Sequence, residues 1–249
     1  MQVNILPFGV LKDWLGSTTL ELPEGATVAR LLHHLASSGS PVPASTWSSI
    51  AVSVNAEYAQ PAHVLRDGDE VGLLPPVSGG GSDGSPADRV RKVKPPTAVT
   101  LTRQPIDSTH LVASAKQGED GAVVVFDGIV RNNSRGRQTL HLDYVAYEEM
   151  ALKQMHALGD EARHRFKVRH VIIVHRLGRL TVGETSVLII VASAHRAQAY
   201  EASRFLIDTL KKTVPIWKKE TFVDGAVWSD GEPFPEGIAI QPEEAPNAS

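Results

Sequence analysis

Between Pro75 and Pro96 the chain abandons every pattern from which secondary structure is built. A proline pair leads into Gly79, Gly80 and Gly81, small polar residues follow, and a second proline pair closes the stretch. Such a Gly/Ser/Pro composition is that of a connector. The constraint on folding is severe, because the blocks on either side must each bury an apolar core of their own. A chain of 249 residues, 42% hydrophobic and 21% charged, has material for two small domains. The expected division is 1–80, a linker over 81–97, a second domain over 98–240, and a polar, acidic tail over 241–249.

The first block reads strand, strand, helix, strand, strand. Val3 to Leu11 and Thr18 to Leu22 are β-rich and flank a hairpin signal at Asp13 and Gly16. Val28, Leu31, Leu32 and Leu35 fall on one helical stripe within 26–35. Ile50 to Val54 and Glu70 to Leu74 complete a small mixed sheet under a single helix, a two-layer α+β unit. The second block alternates strands with helices. Ala122 to Val130 is a nearly continuous apolar run, which predicts a strand buried on both faces. Leu142 to Tyr147, Val168 to His175 and Thr185 to Ala192 read as strands, and 149–166 and 199–210 as amphipathic helices.

Composition then removes whole classes of chemistry. Cysteine is absent, which excludes disulfides, thiolate metal sites, cysteine nucleophiles and persulfide carriers. His33 and His34 are adjacent and diverge on a helix, and no HExxH spacing occurs, so no metal is expected. A net charge of −3 gives no footprint for nucleic acid. No apolar run approaches a membrane span and the start lacks a signal-peptide pattern, so a cytoplasmic protein is expected.

Two segments carry candidate chemistry. In "SAHRAQAYEASRFLIDTLKKTVPIWKKE", Ser193 caps a helix whose first turn holds His195 and Arg196. Cations there oppose the helix dipole, a conflict that an anionic ligand resolves. Lys211 and Lys212 close the same helix and Lys218 and Lys219 follow Trp217; either lysine pair alone is also what dipole compensation predicts. In "FDGIVRNNSRGRQ" a strand runs into Arg131, whose planar fork suits phosphate or carboxylate, while Arg135 and Arg137 read as solvated. Taken together these residues describe a pocket for a phosphate-bearing small molecule. Without paired carboxylates, a serine triad or a phosphate-binding glycine loop, acid and base work falls to lysine or histidine, a lysine being helped by cationic neighbours.

The same segments carry a family resemblance. "GDEVGLLPPVSGG", 68–80, resembles the C-terminal end of the small subunit of molybdopterin synthase, a ubiquitin-like β-grasp sulfur carrier. "FDGIVRNN", "VIIVHRLGRLTVGE", "SAHRAQAYEA" and "LKKTVPIWKKE" resemble the large, catalytic subunit of that enzyme. The resemblance implies an α+β chain: an N-terminal β-grasp domain followed by an α/β two-layer domain of the large-subunit type, a natural fusion. It implies a sulfurtransferase that moves sulfur from a Gly80 thiocarboxylate to cyclic pyranopterin monophosphate (precursor Z), building the dithiolene of molybdopterin in molybdenum cofactor biosynthesis. Carried across by motif, Lys211 is the catalytic lysine and Lys218 assists it. Arg131, His195 and Arg196 bind the phosphate or orient the pterin, and Phe126 lines the wall. Lys212 and Lys219 match no functional lysine. Implied partners are precursor Z, an adenylating and sulfurating enzyme acting on the carrier tail, and a second copy through the catalytic domain; no further cofactor is implied.

One departure stands out. In the free carrier the Gly-Gly ends the chain, whereas here Gly80 is followed by Gly81, and a peptide carbonyl has no carboxylate to adenylate. The bond after Gly80 must be cut for turnover. Two other functions stay open on the sequence: a non-catalytic ubiquitin-like adaptor joined to a pterin- or anion-binding domain, and an unrelated phosphotransferase or hydrolase. The first predicts pterin binding without sulfur transfer, the second a nucleotide and a divalent metal.

Overall fold

The computed structural model describes residues 1–47, 49–76, 97–134 and 136–228. The described residues divide into two compact units, within 1–76 and within 97–228. Gly80, the expected linker up to Pro96 and the expected tail lie outside them.

In the first unit the elements are β1 (Gln2–Pro7), β2 (Thr18–Glu21), α1 (Val28–Ser37), the single helical turn α2 (Ala44–Trp47), β3 (Ala51–Val54), β4 (Glu57–Ala59) and β5 (Glu70–Leu74). The sheet order is β2-β1-β5-β3-β4, with β1 and β5 parallel and the other pairs antiparallel. Thr27 starts α1 by accepting from the Arg30 N–H at 3.3 Å. The helix buries Val28 and Leu31 among Val3, Ile5, Val52, Val71 and Leu73. This is the β-grasp expected from the resemblance. One strand is shorter than its apolar run suggests: β1 ends at Pro7, and a 3-10 turn over Gly9–Asp13, opened by Gly9 at φ 51°, folds Leu11 into the core. β5, which leads toward the glycine tract, is the central strand, and Leu73 and Leu74 are fully buried.

The second unit contains β6 (Thr97–Thr102), α3 (Ser108–Ala115), β7 (Ala122–Ile129), β8 (Asn133–Ser134), β9 (Arg137–Ala146), α4 (Glu148–Phe166), β10 (His170–Arg176), β11 (Gly178–Thr181), β12 (Thr185–Ser193), α5 (Arg196–Thr213), β13 (Ile216–Phe222) and β14 (Gly225–Trp228). One sheet runs β6-β10-β12-β7. Residues of α4 and α5 pack on one of its faces, through Met155, Leu158, Leu206 and Leu210 against Val171, Ile173, Ile189 and Val191. Ala115, Leu111 and Val112 of α3 cover Ile172, Val174, Leu188 and Ile190 on the other. The second sheet, β11-β9-β13-β14 with β8 added to β9, is antiparallel throughout.

β7 departs from the strand buried on both faces that its composition predicts. It is an edge strand with alternating burial, and Val125 and Ile129 are exposed. Val123 still packs under α3, but the helix does not extend over the residues that follow. A run of β-branched residues records the propensity for strand, while its place in the sheet is settled by neighbours distant in sequence.

Candidate active site

Two clusters of candidate residues form at opposite ends of the first sheet. β7 is antiparallel to β12, with Ser193 opposite Ala122 and Thr185 opposite Ile129. α5 leaves the Ser193 end of β12 and returns along the sheet, so its C-terminal turn lies toward the end where β7 delivers Arg131. Lys211 is exposed in that last turn, and the helix closes with the Val214 N–H on the Leu210 carbonyl before Pro215.

Three residues on, β13 begins. Lys218 stands opposite Tyr144 of β9, and Glu220 opposite Leu142. Residues two apart on a strand share a face, and here the Lys218 ammonium lies 3.0 Å from Glu220 Oε1. Glu220 is only 6% exposed. Leu142 and Tyr144 belong to the same apolar cluster as Leu180 and Val130, the residue before Arg131. Arg131, Lys211 and Lys218 are therefore carried to one end of the domain by three different elements. Phe126, on β7, is partly buried and packs against the core on the α5 side of the sheet. The expected surround of cations is not what Lys218 meets, since its nearest charged partner is a carboxylate.

Behind this pair lies a buried polar layer. The Tyr144 ring meets His175 edge-on at 5.2 Å. His175 Nδ1 lies 3.0 Å from the Arg176 carbonyl, an acceptor only, so that nitrogen carries the proton. Burial pushes the His175 pKa down to about 4, against the opposite pull of that hydrogen bond. The phenol of Tyr144 is raised by burial, eased by Ser186 and reinforced by Glu220. Both rings are thus neutral at pH 7.

His195 and Arg196 form the second cluster. His195 is the N-cap residue of α5 and does not lie within its first turn; its side chain makes no capping bond, and its N–H reaches Ser193 Oγ at 3.4 Å. Both side chains are exposed at a helix N-terminus, where N–H groups and dipole favour an anion. Arg196 and Lys211 are separated by fifteen residues of one helix, about 22 Å along its axis at 1.5 Å per residue. The single pocket drawn from the sequence is thereby corrected: one chain does not bring His195 and Arg196 to the lysines.

Arg137 remains partly exposed to solvent, as expected, but it also has partners: its guanidinium stacks 3.9 Å from the Phe222 ring centre and takes Asp224 in a bidentate grip at 2.7 and 3.2 Å. This ties the β8–β9 hairpin to the β13–β14 turn. Arg135 and Gly80 are outside the described residues. Lys219 lies over the Trp228 ring at 5.6 Å, away from Lys218. Glu220, Tyr144 and His175 were not singled out by the sequence. Period two over 216–222 would have placed Glu220 beside Lys218, had the segment been read as a strand.

Residues 101–213 match the MoaE protein family, and residues 5–80 match the ThiS family. A molybdopterin synthase catalytic subunit from Staphylococcus carnosus is 49% identical over 128 residues, 51% of this chain and 85% of that protein. The one from Pyrococcus abyssi is 38% identical over 136 residues, 54% of this chain and 92% of that protein. The crystal structure of molybdopterin synthase from Staphylococcus aureus superposes with a TM-score of 0.50 at 40% identity, covering 52% of this chain and 94% of that one. With residues 101–213 matched to the MoaE family and relatives at 38–49% identity covered over 85% or more of their length, the chain belongs to the molybdopterin synthase catalytic-subunit family, with a ThiS-family domain joined ahead of the catalytic one.

Proposed function

We propose that the chain is a molybdopterin synthase that carries its own sulfur donor, and that its working site is assembled from two copies. Sulfur arrives as a thiocarboxylate on Gly80 and is transferred twice to cyclic pyranopterin monophosphate, the carrier returning each time to a carboxylate with oxygen from water. Lys211 acts as general acid/base or covalent residue and Lys218, steadied by Glu220, assists it. Arg131 binds the phosphate through its planar fork, and Phe126 walls the pocket. No resident metal or cofactor is required, and the carrier is charged by a separate adenylating and sulfurating enzyme. The reading places the protein in the cytoplasm; no helix among the described residues is long and apolar enough to cross a membrane.

The observation that carries the two-copy site is the length of α5. His195 and Arg196 match the catalytic-subunit motif as well as the lysines do, yet they stand a helix length away within one chain. An isologous pair resolves this, because under two-fold symmetry a contact from one end of a surface to the other is made twice. One copy's His195 and Arg196 then face the other copy's Arg131, Lys211 and Lys218.

Mixing tests the reading. Lys211→Ala and Arg196→Ala chains, each inactive or nearly so alone, should recover about a quarter of wild-type rate when unfolded and refolded together. Half the pairs are then mixed, and each mixed pair holds one intact site out of two. Activity of Lys211→Ala on its own removes that lysine from the mechanism. Two variants that stay inactive after mixing, with mixed pairs verified by mass, place all the functional residues in one chain.

A further inference from the structure

The motif "VIIVHRLGRLTVGE" carries three charged residues, Arg176, Arg179 and Glu184, to which the site described above gives no task; Arg179 is exposed and pairs with Asp143, while Arg176 and Glu184 hold each other. Their geometry is specific. Glu184 Oε1 accepts from Arg176 Nη1 at 2.7 Å, and Oε2 accepts from the Thr181 N–H at 2.7 Å and the Thr181 hydroxyl at 3.0 Å. Those donors, the Thr181 N–H foremost and Arg176 next, lower the carboxyl to about 2. Arg176 is 8% exposed, and its Nε has no hydrogen-bond partner among the described residues. Withdrawing a guanidinium from water for a single carboxylate is costly unless the geometry it secures has a use.

The backbone shows what is secured. The turn that Glu184 closes grips Val130 by both its polar groups: Val130 N–H donates to the Glu184 carbonyl at 3.0 Å, and Gly183 N–H donates to the Val130 carbonyl at 2.8 Å. Gly183 makes this possible with φ at 90°, open to glycine and strained for other residues. Val130 itself is 2% exposed, packed with Leu142 and Leu180. The next residue is Arg131. The one after it, Asn132, is held in turn by the Thr139 N–H on its carbonyl at 2.9 Å. Arg131 is thus an exposed guanidinium whose backbone is anchored on both sides.

We propose that Glu184, backed by Arg176, is a positioning residue for Arg131: it locks the β11–β12 turn onto Val130 and so fixes the root of the arginine that receives the substrate phosphate. The inference rests on the assignment of Arg131 as a phosphate ligand. A root fixed in advance leaves less freedom to lose on binding, so the latch acts on substrate affinity and leaves the chemical step alone.

The test uses the full chain, supplied with a saturating carrier fragment that ends at Gly80 and its sulfurating enzyme, with cyclic pyranopterin monophosphate as variable substrate. Glu184→Gln should raise KM about five- to twentyfold with kcat within about twofold, and Gly183→Ala, which loosens the same turn from its backbone, should do likewise. In an Arg131→Ala background either substitution should change KM by less than about twofold, since nothing is left to position. A merely structural residue behaves differently: the active fraction and kcat fall in both backgrounds and KM stays put. That outcome, or KM effects that simply multiply with Arg131→Ala, overturns the proposal. Arg131→Ala with a normal KM overturns the parent assignment; a raised KM there, with both latch variants normal, overturns the latch alone. If Glu184→Gln does not fold, Gly183→Ala decides.

Discussion

His175 is wrapped by its own sheet and by the Tyr144 ring, and its depressed pKa has a consequence for stability. The unfolded chain binds a proton below its ordinary 6.5, whereas the folded one does so only near 4. Between those values the unfolded state holds more protons, so stability rises with pH across that window. It is fully present above 6.5 and is lost as pH falls toward 4. The contribution should shrink by about 2 kcal/mol from pH 7 to pH 5. Denaturant titrations at the two pH values measure it, and His175→Gln should abolish most of the difference. An equal slope in the variant would assign the pH dependence to other groups. At this scale the sequence was informative where a side chain's task is set by its immediate neighbours: Lys211, Arg131 and the His195–Arg196 pair sit on element ends, as their flanking residues imply. It was silent on pairing across long separations. Arg137 and Asp224 are 87 residues apart, and only the adjacency of β9 and β13 makes them partners.

Among the elements, α4 approaches β6 more closely than helix packing usually permits. A Cβ on Gly159 would stand 2.3 Å from Thr97 Cγ2, so the helix lies directly on the strand at that point. Thr97 also donates its hydroxyl to Asp160 at 2.9 Å, which holds its stiff, β-branched side chain in place. Helix propensity alone favours Gly159→Ala by about 1 kcal/mol. The clash should reverse the sign, giving a net destabilisation of about 2 kcal/mol by thermal or urea unfolding. Thr97→Ser removes the offending methyl and keeps the hydroxyl, so Gly159→Ala in that background should become neutral or stabilising. Persistence of the full loss in the double variant would mean the contact is not its cause. This glycine had no meaning in the sequence, because β6 itself was unseen: 97–102 alternates only weakly and follows a proline pair. The long helices and the buried strands were legible from periodicity. The edge position of β7 and the strand nature of 216–222 were not, since both depend on which strands lie alongside.

For the whole molecule, the organising fact is that each unit has a buried core of its own, one beneath α1 and one beneath α4 and α5. Two separate cores are what independently folding domains require, and on the proposed reading joining them serves delivery more than stability. Delivery by thiocarboxylate imposes a chemical condition on the junction. Adenylation needs a free carboxylate, and Gly80 within an intact chain offers an amide carbonyl. On the proposed reading, a glycine terminus keeps the backbone slim enough for close approach to a pocket, a condition that Gly79 and Gly80, following the central strand of the β-grasp in sequence, would meet. A junction that served only as a connector would tolerate small residues at these positions without loss. The expected outcome is therefore that protein purified from its own host is cut after Gly80, and that a share of the carrier fragment shows the mass gain of one oxygen-to-sulfur exchange. Substituting Gly80 and Gly81 so that the bond survives should abolish molybdopterin formation. The catalytic residues remain intact in that variant, so its inactivity should be relieved by adding a carrier ending at Gly80 together with the sulfurating enzyme. Rescue separates a blocked terminus from a damaged active site. If an uncut chain, intact by mass, forms product at the wild-type rate, sulfur does not travel on the Gly80 carboxylate and the fusion works by another route.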